Sequence, residues 1–417
     1  AIATAEILAH LQPPAPEKQS LQAWKVIADG QFDLGQAEAA EISYNKVLSY
    51  DSPLLSDDER KNYQERLAAS IYKQASHWQQ VHDTSQAVRA YMRVGEVVPQ
   101  SPLHPLAEFD AATLLLNDGQ YASAIPILES FRRQFPDHEL NKTMSAKLGL
   151  AYEKTRNYSA AASEFEKIAD QNLQSNPELA RESLLHAADL SSQAHQPDKA
   201  SLLYTKYVDT FKHPATDLAE AENHLLQYYD KLQDTDQVDH WLHELINTNN
   251  QAGSEGTIRT RYLAAMAAFR LAQPDFDAFK SITLSQPLKQ SLPPKKEAMK
   301  KALDEYAQIL TYGAAEYTTA ANFQIAMLYH QLAADLMSSE RPAGLSGIEL
   351  EQYNILLEEQ ADPFDDKAIH VLAANANLVR QGLYDDWVRK SFVALAKLSP
   401  GRYNRQEQLE PVVSAIY

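Results

Sequence analysis

Alanine returns in the same local company at Ala40, Ala87, Ala124, Ala161 and Ala200, at steps of 47, 37, 37 and 39 residues. A large aromatic or a leucine stands four residues after each one: Tyr44, Tyr91, Leu128, Phe165 and Tyr204. A period of this length belongs to helical-repeat arrays, in which each unit buries its apolar face against the next. The alanine has a steric reason: where the second helix of a pair crosses the first most closely, a larger side chain forces the two apart. The bulky residue one turn later shares that face and fills the wider gap toward the next pair.

An array fixes the number of repeats by length rather than the number of domains, so 417 residues do not by themselves imply separate globular units. An apolar fraction of 44% with only 12 glycines suits an all-α chain with a continuous core. A formal charge of −18 argues against binding to phosphate backbones, which requires clustered lysine and arginine. The nearest basic cluster, Lys295, Lys296, Lys300 and Lys301, is interrupted by Glu297 and is expected to be a solvated helix face. With no cysteine, the chain has no disulfide, thiolate zinc site or cysteine nucleophile, and no apolar run is long enough to span a bilayer. The opening Ala-Ile-Ala-Thr-Ala is expected to follow a removed signal or anchor, or a trimmed end.

The repeat around Ala161 sets the register. Leu148-Gly149 and Tyr152 are followed by Asn157-Tyr158, Ala161, Phe165 and Ile168, which reads as helix, tight turn, helix. This resembles the tetratricopeptide repeat, a pattern of about 34 residues with Trp, Leu-Gly and Tyr on its first helix and Ala, aromatic and Ala on its second. The template extends to Trp24, Gly35, Ala40, Tyr44 and Pro53, with extra residues expected between Ser52 and Arg60. It continues through Trp78, Ala87, Tyr91, Val94 and Pro99, then Gly119, Tyr121, Ala124, Leu128, Phe131 and Pro136. Weaker copies follow at Ala187-Ala188, Ala200, Tyr204, Tyr207 and Pro214, then at Leu225, Tyr229, Val238 and Leu242. A seventh is expected at Tyr262, Ala265, Phe269, Phe276, Ala278 and Ile282.

The resemblance implies a right-handed superhelical solenoid, all-α, with a helical C-terminal region. The expected organisation is an N-terminal cap over 1–19, about seven repeats over 20–285 and a C-terminal helical region over 295–417. Ile2 to Leu11 forms an apolar stripe expected to cap the array, with dimerisation through that end as the alternative. Beyond the repeats, Ser291-Leu292-Pro293-Pro294 is expected to break the chain before helices over 295–312 and 316–338. Loops are expected at 342–347 and at Ala361-Asp362-Pro363-Phe364, and a last helix pair over 367–380 and 384–398. Trp387 is expected to occupy the small-residue position of a degenerate terminal repeat. The stretch from Ala368 to Tyr403 also resembles the C-terminal part of long bacterial tetratricopeptide proteins associated with TonB/Tol-like, gliding or pilus systems.

Tetratricopeptide proteins usually hold peptides or partner proteins against the first helices of their repeats. The register assigns that groove to Tyr72, Ser76, Phe109, Thr113, Ala146, Leu150, Leu185, Asp189, Asn223 and Gln227. This mixture of aromatic, aliphatic and amide groups suits a helical or extended peptide rather than a highly charged ligand. The basic clamp of chaperone-binding relatives is missing, so an acidic chaperone tail is disfavoured. Tyr72 and Trp241 are the expected exposed aromatic anchors, while Tyr44, Tyr91, Tyr152, Tyr158 and Tyr204 hold core positions.

No phosphate loop or dinucleotide fingerprint is present. His240 and His243 stand three apart where a zinc protease needs four, and the Asp362, Asp365, Asp366 group lacks calcium-loop spacing and is expected at a helix start. Ser191, Ser192 and His195 carry no signature of an activated nucleophile. No catalytic residue, metal ligand or cofactor is therefore expected. The function expected is a non-enzymatic scaffold of a bacterial cell-envelope complex, periplasmic or outer-membrane-associated, binding protein or peptide partners and no nucleic acid. The alternatives are an assembly chaperone for exported subunits and the docking or regulatory half of an enzyme complex; oligomeric state is left open.

Overall fold

A computed structural model describes residues 1–51 and 54–404; Pro53, its neighbour Ser52, and residues 405–417 of the expected C-terminal region lie outside the described residues. Among the described residues there is no strand. The chain divides into two compact units, Ala1–Leu203 and Tyr204–Tyr417.

The first unit contains α1 (Ile2–Ala9), α2 (Glu17–Asp33), α3 (Ala37–Leu48), α4 (Asp57–Gln80), α5 (Thr84–Val97), α6 (Leu103–Asn117), α7 (Tyr121–Gln134), α8 (Met144–Lys154), α9 (Tyr158–Asn172) and α10 (Pro177–Gln193). α11 (Pro197–Thr210) begins in it. From α1 to α10 each helix packs on its successor, and α4 also packs on α6, as stacked helix pairs require. The all-α helical-repeat solenoid expected from the alanine period is thus formed.

In each pair the recurring residue is the fourth of the second helix: Ala40 in α3, Ala87 in α5, Ala124 in α7, Ala161 in α9 and Ala200 in α11. The first four have no exposed surface and Ala200 has 4%. The turn before it is equally regular. Five residues ahead of the small position stands a left-handed residue: Gly35, His82, Gly119, Arg156, His195 and, before Val238, Gln233, with φ between 56° and 76°. The residue after each donates its N–H to a carbonyl five back, as Asp83 does to Trp78 and Asn157 to Tyr152, closing a Schellman turn that satisfies orphan carbonyls of the first helix. Asp83, Asn157 and Asp234 then cap the second helix through their side chains.

Of the extra residues, Asp57 to Arg60 form the first turn of α4, started by a capping box between Ser56 and Glu59. Arg60 donates from its guanidinium to the carbonyls of Leu48, at 2.9 Å, and Tyr50, closing the end of α3. The apolar N-terminal stretch packs on α2, with Ala5 against Ala23 and Ile27.

The second unit contains the rest of α11, then α12 (Ala215–Leu232), α13 (Thr235–Gln251), α14 (Ile258–Ser281), α15 (Leu288–Leu310), α16 (Ala315–Ser338), α17 (Gly347–Asn377), α18 (Asp386–Leu398) and α19 (Pro400–Tyr403). Four expectations fail here. The seventh repeat is not a hairpin: α14 runs unbroken through Pro274 and pairs with α15. Pro293 and Pro294 lie inside α15, and Ala361 to Phe364 lies inside α17, so neither segment interrupts its helix. In α15 the stripe Leu288, Leu292, Met299, Ala302, Tyr306 and Ile309 holds the helix against the core despite the lost N–H donors. Asp362, Asp365 and Asp366 accordingly lie mid-helix, and Asp365 meets His330 at 2.8 Å.

Lys295 is the third correction, because it is fully buried rather than solvated. Its ammonium donates to the carbonyls of Phe279, at 2.9 Å, and Ile282, at 2.6 Å, and lies 2.6 Å from Asp335 Oδ2. One cation thereby closes the end of α14 and joins α15 to α16, satisfying the pairing a buried charge demands. Trp387 is the fourth: it is the second residue of α18, ahead of the buried positions Val388, Ser391 and Leu395. Its ring lies against Phe269 and Phe323, at centroid distances of 5.8 and 5.6 Å.

Candidate functional site

Side-chain contacts brace the first helices of successive pairs to one another, and Tyr72 and Phe109 also pack on the second helices through Tyr91 and Phe131. In the first unit, Lys73 of α4 places its ammonium 3.6 Å from the ring centroid of Phe32 on α2. Tyr72 of α4 donates its hydroxyl to Asp110 of α6, and its ring meets Tyr91 of α5 edge-on at 5.1 Å. Lys147 of α8 lies 4.8 Å from the centroid of Phe109 on α6, a cation–π contact. His186 of α10 reaches Glu153 of α8 at 2.9 Å. Apart from the ring contact of Tyr72 with Tyr91 on the second helix α5, each bridge joins neighbouring first helices.

The electrostatics follow from partial burial. Burial raises the Tyr72 hydroxyl above its ordinary range, and donation to Asp110 raises it further, so it remains a neutral donor. Burial lowers Lys147 below the usual lysine value, against the opposing charge of Asp110. The Asp110 carboxylate accepts from Tyr72 on α4 and acts on Lys147 of α8 through its charge.

The expected groove residues divide by what they touch. Tyr72, Ser76, Phe109, Thr113, Leu185 and Asp189 are half-buried, Ala146 is exposed, and Leu150 is 40% exposed. Ser76 donates its hydroxyl to the carbonyl of Tyr72 in its own helix, which removes it as a free donor. The Thr113 hydroxyl is buried without a hydrogen-bond partner. Asp110 and Lys147 were not singled out from the sequence, although they stand one 37-residue step apart, next to Phe109 and Ala146; the repeat period itself was the signal.

In the second unit, Gln227 on α12 is exposed and Asn223 is buried. Here the braces are bidentate: Arg270 of α14 contacts both oxygens of Asp230 on α12 at 2.7 Å, and Arg259 contacts both of Glu220. Tyr262 and Phe269 of α14 meet Tyr317 of α16 at 5.2 and 5.9 Å. Trp241, expected as an exposed anchor, is 7% exposed and belongs to the core side of α13.

His240 and His243 do not converge: His243 Nδ1 bonds the carbonyl of Asp239 and His240 lies edge-on to Trp241. Ser191 donates to the carbonyl of Ala187. Among the described residues no three His, Asp or Glu side chains are placed to hold a metal ion, and no helix is long and apolar enough to cross a membrane.

No protein-family model matches the chain and no curated protein matches it. Among solved structures, Naa15/Naa10 bound to HypK-THB is similar at 13% identity and a TM-score of 0.36, over 92% of this chain. This chain spans 64% of the length of that one. The P58(IPK) TPR domain is similar at 13% identity and a TM-score of 0.23, over 92% of this chain and 99% of that one. A monomeric IFIT1 mutant with m7Gppp-AAAA is similar at 12% identity and a TM-score of 0.22, over 96% and 86%. What makes the array tetratricopeptide-like is its own construction: stacked hairpins, Schellman turns and a buried small residue at the fourth position of each second helix.

Proposed function

We propose that the chain is a non-enzymatic scaffold that binds protein partners, as helical or extended segments, along the first-helix face of its N-terminal unit. The observation that supports this most is the row Tyr72, Phe109, Leu150 and Leu185, one apolar or aromatic side chain from each of four consecutive first helices. None is fully buried, and the charged groups between them are engaged in bridging the helices. Such a row offers alternate apolar contacts to a segment laid across the repeats. Anchors of this kind carry a disproportionate share of binding energy.

The test uses the full chain as bait in an extract of its source cells. Tyr72→Ala combined with Phe109→Ala, with a native circular dichroism spectrum, is expected to lose captured partners by tenfold or more, equivalent to about 1.4 kcal/mol. Tyr72→Phe keeps the ring and is expected to retain them. Unchanged capture by the folded double variant contradicts the assignment. We further place the scaffold in a bacterial cell envelope, periplasmic or outer-membrane-associated; this rests on the likeness of the segment from Ala368 to Tyr403 to envelope proteins and fits a chain without cysteine. Recovery with the cytosol on cell fractionation contradicts that placement.

A further inference from the structure

The second unit carries a cleft of about 500 Å³ lined by α12, α13 and the segment after α11. Glu222 of α12 lines it and is only 3% exposed. Its Oε1 accepts a hydrogen bond from Thr248 Oγ1 of α13 at 2.7 Å, whereas Oε2 is buried without a partner. A carboxylate oxygen withdrawn from water with nothing to accept from is costly, which marks it as awaiting a donor.

The rest of the lining defines what that donor is. Lys212 donates one ammonium N–H to the Val208 carbonyl near the end of α11, and His213 meets Glu255 at 3.1 Å. Asn247 gives its amide N–H to Glu244 Oε1 at 3.2 Å, leaving its own carbonyl oxygen and the other Glu244 oxygen as acceptors. From α14, Arg259 and Arg270 turn to Glu220 and Asp230 instead. The cleft thus holds two carboxylates, Glu222 with a buried unpartnered oxygen and Glu244, against the single lysine Lys212 in its lining.

We propose that this cleft binds a primary ammonium group, with Glu222 and Glu244 as its acceptors. The site is separate from the first-helix face of the N-terminal unit and does not depend on its assignment. Burial, which outweighs the bond from Thr248, pushes Glu222 up to about 7, with Glu244 adding to the rise and Lys212 opposing it. An arriving cation favours the ionised acid, so below neutrality binding releases a proton.

Isothermal titration of the full chain with cadaverine and with Nα-acetyl-lysine methylamide tests this, with Nα-acetyl-norleucine methylamide as the uncharged control. Saturable heat is expected from at least one ammonium probe and none from norleucine. Binding of cadaverine points to a small amine as the natural source, and binding of the lysine amide alone points to a polypeptide side chain. At pH 6 the heat is expected to depend on the ionisation enthalpy of the buffer. Glu222→Gln retains the bond from Thr248 and is expected to lose about tenfold in affinity together with that buffer dependence. Glu244→Gln, on a partly exposed position, is expected to lose roughly threefold and serves if the first variant does not fold. Absence of saturable heat at about 10 mM of both probes, equal binding of norleucine, or a folded Glu222→Gln chain that binds as before would overturn the proposal.

Discussion

At the level of single residues, two positions in each hairpin are set by backbone and steric limits, and they differ in how far the sequence discloses them. The small alanine is visible because only a small side chain fits, and Ala161 has no exposed surface. Gly149 has a related cause: a Cβ there would lie 3.2 Å from Phe165 Cε2, so the glycine of one helix is fixed by the aromatic of the next. The left-handed turn position is hidden, because only Gly35 and Gly119 announce it while His82, Arg156, His195 and Gln233 adopt the same conformation. A non-glycine residue held there carries about 1 kcal/mol of strain or more. Arg156→Gly is therefore expected to raise stability by roughly 0.5–1 kcal/mol, after the added entropy of the unfolded chain is subtracted. Urea denaturation measures it, and a loss of stability would show that the Arg156 side chain contributes contacts outweighing its strain.

Helices are held to one another by buried charge as well as by apolar faces. Glu164 of α9 is 3% exposed and receives Arg132 of α7 at 2.9 Å on both oxygens, with Lys167 at 2.9 Å. Burial pushes this acid upward, but the hydrogen bonds from Lys167 and Arg132 prevail and hold it below the usual carboxylate range. A depressed folded value means that the stabilisation is fully present above the unfolded value of about 4.5 and is lost as pH falls through the lower folded value. Wild type is therefore expected to lose stability below about pH 4.5 more steeply than Glu164→Gln, by thermal denaturation across pH 3–7. Parallel curves would remove the triad from the acid limb. The long helices of the second unit illustrate why local signals misled: Leu357, Ala361, Phe364, Ala368 and Leu372 keep helical spacing straight through Pro363. Apolar periodicity won over the proline, because packing on α16 outweighs one lost backbone bond. Lys295 was unreadable for another reason: its partners are two backbone carbonyls and an aspartate 40 residues on, none marked by spacing.

For the molecule as a whole, nearest-neighbour stacking governs how a disturbance spreads. Ala161→Leu overfills the α8–α9 crossing and is expected to cost about 1–3 kcal/mol. Hydrogen exchange is expected to quicken in α7 to α10 and to stay unchanged in α14 to α18, as in a chain of local interfaces; a uniform change would show a single cooperative core. The repeat class was legible because one period carried the small residue and the aromatic that follows it. The bracing residues Asp110 and Lys147 and the cleft around Glu222 emerged only when separate helices were brought together. The most direct test of the scaffold assignment is site-specific photocrosslinking in living cells. A benzoylphenylalanine is placed at Leu150, 40% exposed on a first helix, or at Ile42, 71% exposed on the second helix α3. The expected result is a discrete set of protein adducts from position 150 and none from the more exposed position 42; equal adducts from both, or adducts from position 42 alone, would contradict binding on the first-helix face.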